Sequence, residues 1–262
     1  MSARIWMPLP DHDFEPGEAS IPWRTLTRAG HQVVIATEKG ASPEADPRLL
    51  KGVLFGKMGA SEDAKAAYAE MQASPEYRSP VTFSAIDPAA YDGLLLPGGH
   101  AQGMRQYLES TELRSKVRAF WQLDRPVAAI CHGVLVLSRA LDPETGKSIL
   151  AKRRTTCLPK YMELAAYYST FWKLGRYYLT YDVTVEDEVK ASLEDPRAQF
   201  ERGPFNLGDP AKAKGKGFVV EDGRYVSGRW PGDAQLLGTR LLSLVDAHLA
   251  RKGASPQVTA SA

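Results

Sequence analysis

A cysteine lies where an apolar run of the sequence stops abruptly. Residues 127–130 (Val-Ala-Ala-Ile) are followed by Cys131, His132 and Gly133, and a second apolar segment covers residues 134–141. This pattern predicts a buried strand, a tight turn and a buried helix, with the thiol at the turn. Because a helix start presents unpaired N–H groups and the positive end of its dipole, the position favours the nucleophilic thiolate. We therefore expect Cys131 to be a nucleophile on a strand–turn–helix elbow.

The second cysteine and the histidines indicate no further reactive centre. Cys157 lies in the strand-like segment 154–158, with no helix start behind it, and is predicted to be a core residue. Two cysteines make neither a disulfide framework nor a tetrahedral zinc site. No two of the five histidines have the spacing of ligands on one helix, and the acidic loop around His12 is interpreted as solvated. We expect no metal and no other cofactor.

Composition and charge narrow the class of protein. The 262 residues are 44% hydrophobic and 24% charged, with a formal net charge of +2. These values are ordinary for a globular domain and too balanced to indicate nucleic-acid binding. The amino-terminal segment reaches Pro8 before any apolar signal region develops, and no stretch approaches the ~18 apolar residues of a membrane span. We therefore expect a cytoplasmic protein without nucleic-acid or membrane partners.

The elements that must position the thiol begin near the amino terminus. The sequence predicts a strand at residues 4–9 and an acidic loop at residues 10–19. A helix is predicted to follow, capped by Ser20, with Pro22 in its first turn and Gly30 at its end. The apolar run after this helix is then expected to form a strand beside the first one.

That run, residues 31–37, is predicted to be the second strand of a βαβ unit, which requires a parallel sheet. A further strand at residues 91–97 leads into a Gly-Gly-His turn at residues 98–100. Two segments interrupt this rhythm: residues 38–80, which include a polar helix, and the aromatic-rich residues 158–178. We interpret both as insertions beside the sheet.

The last third of the chain predicts the closing elements of the same domain. Residues 182–189 and 217–227 alternate as strands do, and residues 236–249 have the apolar spacing of an amphipathic helix. The end of the chain is small and polar. We therefore expect one domain over residues 1–252, followed by a disordered tail at residues 253–262.

Three of these segments should meet at one edge of the sheet, because the carboxyl ends of parallel strands lie together and collect functional sites. They are the loop with Glu18, the Gly-Gly-His turn and the elbow at Cys131. Their sequences resemble the ThiJ/PfpI family, and within it the larger chaperone and glyoxalase III members. The matching segments are residues 18–22 (Glu-Ala-Ser-Ile-Pro), 91–100 (Tyr-Asp-Gly-Leu-Leu-Leu-Pro-Gly-Gly-His), 129–133 (Ala-Ile-Cys-His-Gly), 222–228 and 231–234.

The resemblance implies a fold. The family has a flavodoxin-like α/β sandwich, a doubly wound and mostly parallel sheet between helices, within the class I glutamine amidotransferase-like superfamily. This expectation agrees with the βαβ unit inferred from the residues alone. The two insertions are where the resemblance is poorest.

The resemblance also implies roles at the shared edge. Glu18 would hydrogen-bond the sulfur of the nucleophile and move protons, and a carboxylate beside a thiolate should have a raised pKa. His132 would act as an acid or a base. The backbone N–H groups of Gly99 and His132 would form an oxyanion hole, beside the tight turn that Gly98 permits. His100 would line the pocket or donate a hydrogen bond to the substrate.

Family members that use a triad orient this histidine with a third, acidic residue. Asp142, Glu144 and Glu163 lie downstream of His132 and are candidates. Glu163 is favoured because it opens the insertion after the strand-like segment. Nothing in the sequence selects among the three, so a surface carboxylate stays the alternative for each.

The activity that the resemblance implies is cofactor-free chemistry on a small reactive carbonyl compound. In the glyoxalase III version, the Cys131 thiolate attacks the aldehyde of methylglyoxal to give a hemithioacetal. Glu18, assisted by His132, then moves protons through an enediol, and lactate leaves. Protein deglycase activity, which is assigned to family members, needs the same thiol and the same carbonyl carbon. Family members are often dimers, so we expect a homodimer.

Two other classes of function stay open. The first is amide hydrolysis by a Cys–His peptidase or amidase; isonitrile hydration is a related possibility. Glutaminase chemistry is disfavoured, because it uses a downstream His-x-Glu, and His248, the only histidine after His132, is followed by Leu-Ala. The second class is a redox-sensing or holdase chaperone whose thiol oxidises to sulfinate. In that case replacing Cys131 by alanine should leave the suppression of aggregation intact.

Overall fold

The computed structural model describes residues 1–54, 58–206 and 217–254. Its strands are β1 (Arg4–Pro8), β2 (His12–Phe14), β3 (Gln32–Thr37), β4 (Glu44–Ala45), β5 (Val81–Thr82), β6 (Gly93–Leu96), β7 (Val127–Ile130), β8 (Val219–Asp222) and β9 (Tyr225–Gly228). Within the described residues, seven strands form one sheet in the order β5-β3-β1-β6-β7-β9-β8, and β2 pairs with β4 in a small second sheet. Neighbouring strands of the large sheet are parallel except β8 and β9, which form an antiparallel hairpin.

Helices cover both faces of the large sheet. They are α1 (Pro16–Arg28), α2 (Pro47–Lys51), α3 (Glu62–Ala73), α4 (Pro75–Arg78), α5 (Arg105–Glu109), α6 (Thr111–Gln122), α7 (Val134–Ser138), α8 (Lys160–Leu174), α9 (Val185–Ala191), α10 (Pro196–Gln199) and α11 (Ala234–Ala254). Successive side chains of a strand point to opposite faces. On β1, Ile5 lies on the face that also carries Val245 of α11. The next residue, Trp6, meets Phe120 of α6, with ring centroids 6.5 Å apart.

The central strands are buried on both faces, which explains their continuous apolar sequences. All four residues of β6 and all four of β7 are buried, as are four of the five residues of β1. Parallel strands covered by helices on both sides have this composition. The structure confirms the predicted doubly wound, mostly parallel α/β fold, and it confirms strands within residues 4–9, 31–37, 91–97 and 127–130.

The first helix begins earlier than predicted. Helix α1 starts at Pro16, so Ser20 lies inside it, and residues 10–19 contain β2 and the first turn of α1 rather than a loop. Glu15 is the actual cap, because its carboxylate accepts a hydrogen bond from the backbone N–H of Glu18 at 2.6 Å. The hydroxyl of Ser20 donates to the Pro16 carbonyl within the helix. Glu15 followed by Pro16 is a weaker sequence signal for the start of a helix than a serine cap.

The predicted strand at residues 182–189 is wrong, because most of this segment forms helix α9. The hydroxyl of Thr184 caps the helix by accepting from the N–H of Asp187. Glu186, Asp187 and Glu188 occupy the first turn, where the helix dipole favours negative charge. The strand-like segment 154–158 makes only an isolated bridge, between Thr155 and Phe200.

The two segments interpreted as insertions contain regular structure. Residues 38–80 include β4, α2, α3 and α4, and residues 158–178 include α8. None of the helices in the described part of the chain is long and apolar enough to cross a membrane. Helix α11 continues to Ala254, two residues into the predicted tail, and the rest of that tail lies outside the described residues.

The elbow after β7 is a tight turn. Cys131 has a φ of +57°, in the left-handed region that residues with a side chain rarely adopt. One turn of 3₁₀ helix at Cys131–Gly133 leads into α7, which is shorter than the predicted segment 134–141. A Cβ on Gly133 would lie 2.2 Å from the carbonyl oxygen of Leu96, the last residue of β6. The turn can therefore approach β6 only because residue 133 is glycine.

We expect Gly133→Ala to destabilise the protein by about 2–3 kcal/mol, because the added methyl group must displace the main chain of β6. Urea unfolding followed by tryptophan fluorescence measures this loss. Gly146→Ala is the matched control, because Gly146 has a φ of +66° but nothing within 4 Å of its Cβ position. Strain alone should cost about 1 kcal/mol there. Equal losses in the two variants would contradict the close approach.

Candidate active site

Glu18, Gly98 and Cys131 meet at the carboxyl edge of the sheet. The Cβ position of Gly98 lies 2.7 Å from Oε2 of Glu18 and 2.7 Å from Cβ of Cys131. Any side chain at residue 98 would therefore separate the carboxyl group from the thiol. The structure brings together three residues that the sequence placed on separate elements.

The Cys131 thiol is buried, with only 2% of the residue exposed. Burial first, and then the negative charge of Glu18, raise the pKa of this thiol well above its usual range. The backbone N–H of His132 contacts the sulfur and lowers the pKa, but it does not outweigh burial. Burial therefore opposes the thiolate more strongly than the helix start favours it. The five-residue helix α7 offers only a short dipole against desolvation.

Glu18 is fully buried in the first turn of α1. Among the described residues, neither of its carboxyl oxygens has a hydrogen-bond partner of ordinary geometry; the Cys131 thiol and the N–H of Gly98 are the neighbours that favour its charged form. Burial and then the charge of Glu15 nevertheless raise the pKa of Glu18 well above its usual range. The pKa is raised as expected, although the largest cause is burial rather than a neighbouring thiolate.

Glu15, which the sequence interpretation did not single out, is a second buried acid at this helix start. It is 5% exposed, and burial raises its pKa to about 7 despite hydrogen bonds from the N–H groups of Glu18 and Gly17. Its backbone N–H donates to the carbonyl of Gly98 at 2.9 Å, which ties α1 to the turn after β6. The capping residue thus also holds Glu18 beside Cys131.

His132 is fully buried. It lies between the Cys131 thiol and two residues from later in the chain, Thr180 and Glu163. Its Nδ1 is 3.5 Å from Sγ of Cys131. Its Nε2 is 3.1 Å from Oγ1 of Thr180 and 3.8 Å from Oε1 of Glu163. Burial first, and then the neighbouring His100, lower the pKa of His132 well below its usual value. The imidazole is therefore neutral at rest.

Glu163 is the only one of the three proposed acidic partners that the structure places beside His132. It lies in the first turn of α8, is 1% exposed, and accepts the N–H of Val185 through Oε2 at 2.9 Å. Burial raises its pKa to about 7. Asp142 instead accepts the N–H groups of Glu144 and Thr145 within its own loop.

His100 and Gly99 lie at the same edge. The His100 ring stacks on that of His132, with centroids 5.9 Å apart, and meets Tyr178 at 4.7 Å. Burial lowers the pKa of His100 below its ordinary value. Gly99 follows Gly98, whose Cβ position lies beside both Glu18 and Cys131. The role of the Gly99 backbone N–H as an oxyanion donor stays a prediction.

Thr180 and Tyr178 are contacts that the sequence interpretation missed. They lie in the few residues after α8 and have no motif around them, so no sequence signal marks them. Among the described residues, no group of three or more His, Cys, Asp or Glu side chains could hold a metal ion. Cys157 is fully buried, as predicted, and its thiol donates to the carbonyl of Leu158 at 3.7 Å.

Comparison with known proteins identifies the family of this chain. Residues 9–204 match the sequence model of a family described as ThiJ/PfpI family-like. The chain belongs to the ThiJ/PfpI family. The matched region includes Glu18 of α1, the elbow and α8, so all the residues of the candidate site lie within it.

Relatives within the ThiJ/PfpI family span most of the chain. An uncharacterized protein of Schizosaccharomyces pombe is 28% identical over 251 residues, 92% of this chain and 83% of that protein. A deglycase of Thermococcus kodakarensis is 26% identical over 221 residues, 84% of this chain and 86% of the relative. Glyoxalase 3 of Candida albicans is 23% identical and covers 83% of each chain. The crystal structure of glyoxalase III from the same organism has a TM-score of 0.67 at 18% identity, covering 92% of this chain and 97% of that one.

We expect the buried carboxyl of Glu163 to make stability fall as the pH rises. The folded protein holds this proton to about pH 7, whereas an ordinary glutamate releases it near 4.5. The stabilisation from the protonated group is full below pH 4.5 and is lost between there and pH 7. Glu163→Gln, which keeps an acceptor for Val185, should reduce the loss of unfolding free energy between pH 5 and 7.5 by on the order of 1–3 kcal/mol.

Urea titrations of wild type and variant at the two pH values measure this difference. Glu112→Gln is the control, because Glu112 is an exposed residue of α6 and should leave the pH dependence unchanged. Equal pH dependence in wild type and Glu163→Gln would show that the carboxyl is ionised throughout, contrary to its burial.

Proposed function

We propose that this ThiJ/PfpI protein is a cofactor-independent cysteine enzyme that converts methylglyoxal to lactate, as a glyoxalase III does. One observation carries the proposal: the buried carboxyl group of Glu18 lies beside the Cys131 thiol, and a Cβ at Gly98 would lie 2.7 Å from both Oε2 of Glu18 and Cβ of Cys131. A carboxyl with a raised pKa can give and take protons near neutral pH. The family relatives named deglycase and glyoxalase 3 support chemistry on carbonyl compounds.

The first step forms a bond between sulfur and carbon. The sulfur of Cys131 attacks the aldehyde carbon, His132 accepts the thiol proton, and Glu18 donates a proton to the aldehyde oxygen. The product is a hemithioacetal. Because the thiol is protonated at rest, the nucleophile is produced by proton transfer at the moment of attack, when His132 is 3.5 Å from the sulfur.

The remaining steps move protons within the substrate. The Glu18 carboxylate removes the hydrogen of the former aldehyde carbon, and His132 gives the proton that it took from the thiol to the neighbouring ketone oxygen, which yields an enediol. Glu18 then delivers its proton to the second carbon and takes the proton of the hydroxyl group on the former aldehyde carbon, which yields a thioester of lactic acid. Water adds its hydroxyl to the thioester carbon and its proton to the sulfur as the carbon–sulfur bond breaks, so that lactic acid leaves and the thiol is restored. The aldehyde carbon is oxidised and the ketone carbon is reduced, so no external oxidant or cofactor is needed. The N–H groups of Gly99 and His132 are proposed to hold the oxygen that becomes negative.

The same steps up to the hemithioacetal would serve a protein deglycase. In that reaction the former carbonyl carbon carries the amine of a protein; the carbon–sulfur bond forms as the carbon–nitrogen bond breaks, the amine leaves with a proton, and the same hemithioacetal results. We therefore propose deglycase activity as a second use of the same Cys131 and Glu18, rather than as a different site.

We expect purified protein to produce lactate from methylglyoxal without glutathione. Cys131→Ser should abolish turnover, because serine is not activated at this position. Glu18→Gln, which keeps the shape of the side chain but cannot exchange a proton, should lower kcat by about 100-fold or more. Enzymatic determination of lactate measures both effects.

Cys157→Ala is the matched control, because it removes the other buried thiol and should retain turnover. Lactate formation by the Cys131 variant at the wild-type rate would exclude the proposed nucleophile. Absence of lactate from a folded wild-type protein would exclude the glyoxalase reaction.

A second candidate function is amide hydrolysis, because the structure also places Cys131, His132 and Glu163 in a row, with 3.5 Å and 3.8 Å between successive side chains. Such a row is the arrangement of a cysteine hydrolase triad. Glutaminase chemistry gains no support, because His248 lies near Asp92 at the amino end of β6, the opposite edge from Cys131. Release of nitroaniline from aminoacyl nitroanilides, lost in Glu163→Gln but retained in Glu18→Gln, would favour hydrolysis over the glyoxalase reaction.

A further inference from the structure

The hydroxyl group of Thr180 has a single proton, and the contacts of Thr180 identify the group that accepts the hydrogen bond from it. Thr180 Oγ1 is 2.8 Å from the backbone carbonyl oxygen of His100. A carbonyl oxygen can only accept a hydrogen bond, so the hydroxyl donates its proton there. Any other hydrogen bond to this oxygen must therefore be one that Thr180 accepts.

The other hydrogen bond of this oxygen is with Nε2 of His132, at 3.1 Å. Since the hydroxyl proton is already used, Nε2 of His132 must donate, and the proton of the neutral ring lies on Nε2. Both residues are fully buried, which excludes exchange with bulk water as a competing partner. The opposite ring nitrogen, Nδ1, then carries the lone pair, and it is the atom that faces Sγ of Cys131 at 3.5 Å.

We propose that Thr180 is a positioning residue that fixes the tautomer of His132, so that the lone pair of Nδ1 points at the Cys131 thiol. The proposal rests on the proposed role of Cys131 as the nucleophile. In this arrangement the thiol proton moves to Nδ1 as the sulfur–carbon bond forms. The other tautomer would present an N–H to the sulfur and could not accept that proton.

The main chain around Thr180 holds the hydroxyl in place. The guanidinium group of Arg105, at the start of α5, donates to the carbonyl oxygen of Thr180, with Nε at 2.8 Å. Gln102 donates to the carbonyl of Arg176 at 3.0 Å. The segment after α8 is therefore fastened to the residues that follow β6, and the hydroxyl reaches His100 and His132 from a fixed position.

Glu163 is the alternative group that could set the tautomer. Its Oε1 is 3.8 Å from Nε2, beyond hydrogen-bond distance, whereas the Thr180 oxygen is 0.7 Å closer (3.8 − 3.1 Å). The other oxygen of Glu163 accepts the N–H of Val185. We therefore assign the resting tautomer to Thr180.

The tautomer can be observed directly by long-range ¹H–¹⁵N NMR of protein with ¹⁵N-labelled histidine, with His132→Asn used to assign the signals. We expect wild type to show a protonated Nε2 and an unprotonated Nδ1. Glu163→Gln should retain this pattern, and Thr180→Val should shift part of the population to the other tautomer. This readout requires no substrate, so it tests the role of Thr180 even if methylglyoxal is not turned over.

Kinetics supply the second readout. Thr180→Val removes the hydroxyl and keeps the shape, and it should lower kcat for methylglyoxal by about 10- to 100-fold with little change in KM. Thr180→Ser restores the hydroxyl and should recover most of the activity. Thr170→Val is the matched control: Thr170 is equally buried, but its hydroxyl donates only to carbonyls within α8.

Three results would overturn the assignment. One is a wild-type signal with the proton on Nδ1, which stands whether or not any variant folds. Another is an unchanged tautomer in Thr180→Val together with a changed one in Glu163→Gln, which would give the role to the carboxyl. The third is equal loss of kcat in the serine and valine variants of Thr180. Lack of lactate formation by wild type with the expected tautomer would instead reject the proposed reaction.

Discussion

The left-handed backbone of Cys131 is the constraint on which the site depends. A residue with a side chain at a φ of +57° is held in an unfavourable conformation, typically at a cost of about 1–3 kcal/mol. The buried strand β7, which leads into the turn, and the end of β6, against which the turn packs, offset that cost. The turn requires glycine at residue 133, where a Cβ would meet the main chain of β6, and glycine at residue 98, where a Cβ would meet both Glu18 and Cys131. The positions of nucleophile and carboxyl thus follow from the packing of the sheet.

Burial, rather than charge pairing, controls protonation at this edge. The pKa values of Glu15, Glu18 and Glu163 are all raised, chiefly by desolvation, and so is that of the Cys131 thiol. The pKa of His132 is lowered for the same reason. Burial therefore favours the neutral form of each group. A reaction that relays protons among substrate atoms fits such a site, because its first step begins from the neutral forms that burial favours.

The sequence predicted most of what the sheet determines and little of what long-range contacts determine. The strands and the elbow follow from apolar runs and glycines, whereas the role of Glu18 follows from the family resemblance. The sequence predicts that α1 starts at Ser20, whereas the actual cap is a glutamate followed by proline. The alternation of residues 182–189 predicts a strand, but Thr184 caps a helix there. The turn at Cys131 favours a thiolate, whereas the desolvation that raises the pKa of the thiol depends on residues far apart in sequence.

The contacts of His132 are also of two kinds, those that the sheet determines and those that depend on residues far away in the sequence. Its backbone and its distance to the sulfur belong to the elbow, which β6 and β7 fix. Its partners on the far side, Glu163 and Thr180, come from α8 and the residues after it. An elbow held by the sheet can therefore keep the same thiol and carboxyl while a neighbouring segment changes what the histidine does. On this view the reaction class depends less on the nucleophile than on which group accepts the hydrogen bond from Nε2 of His132.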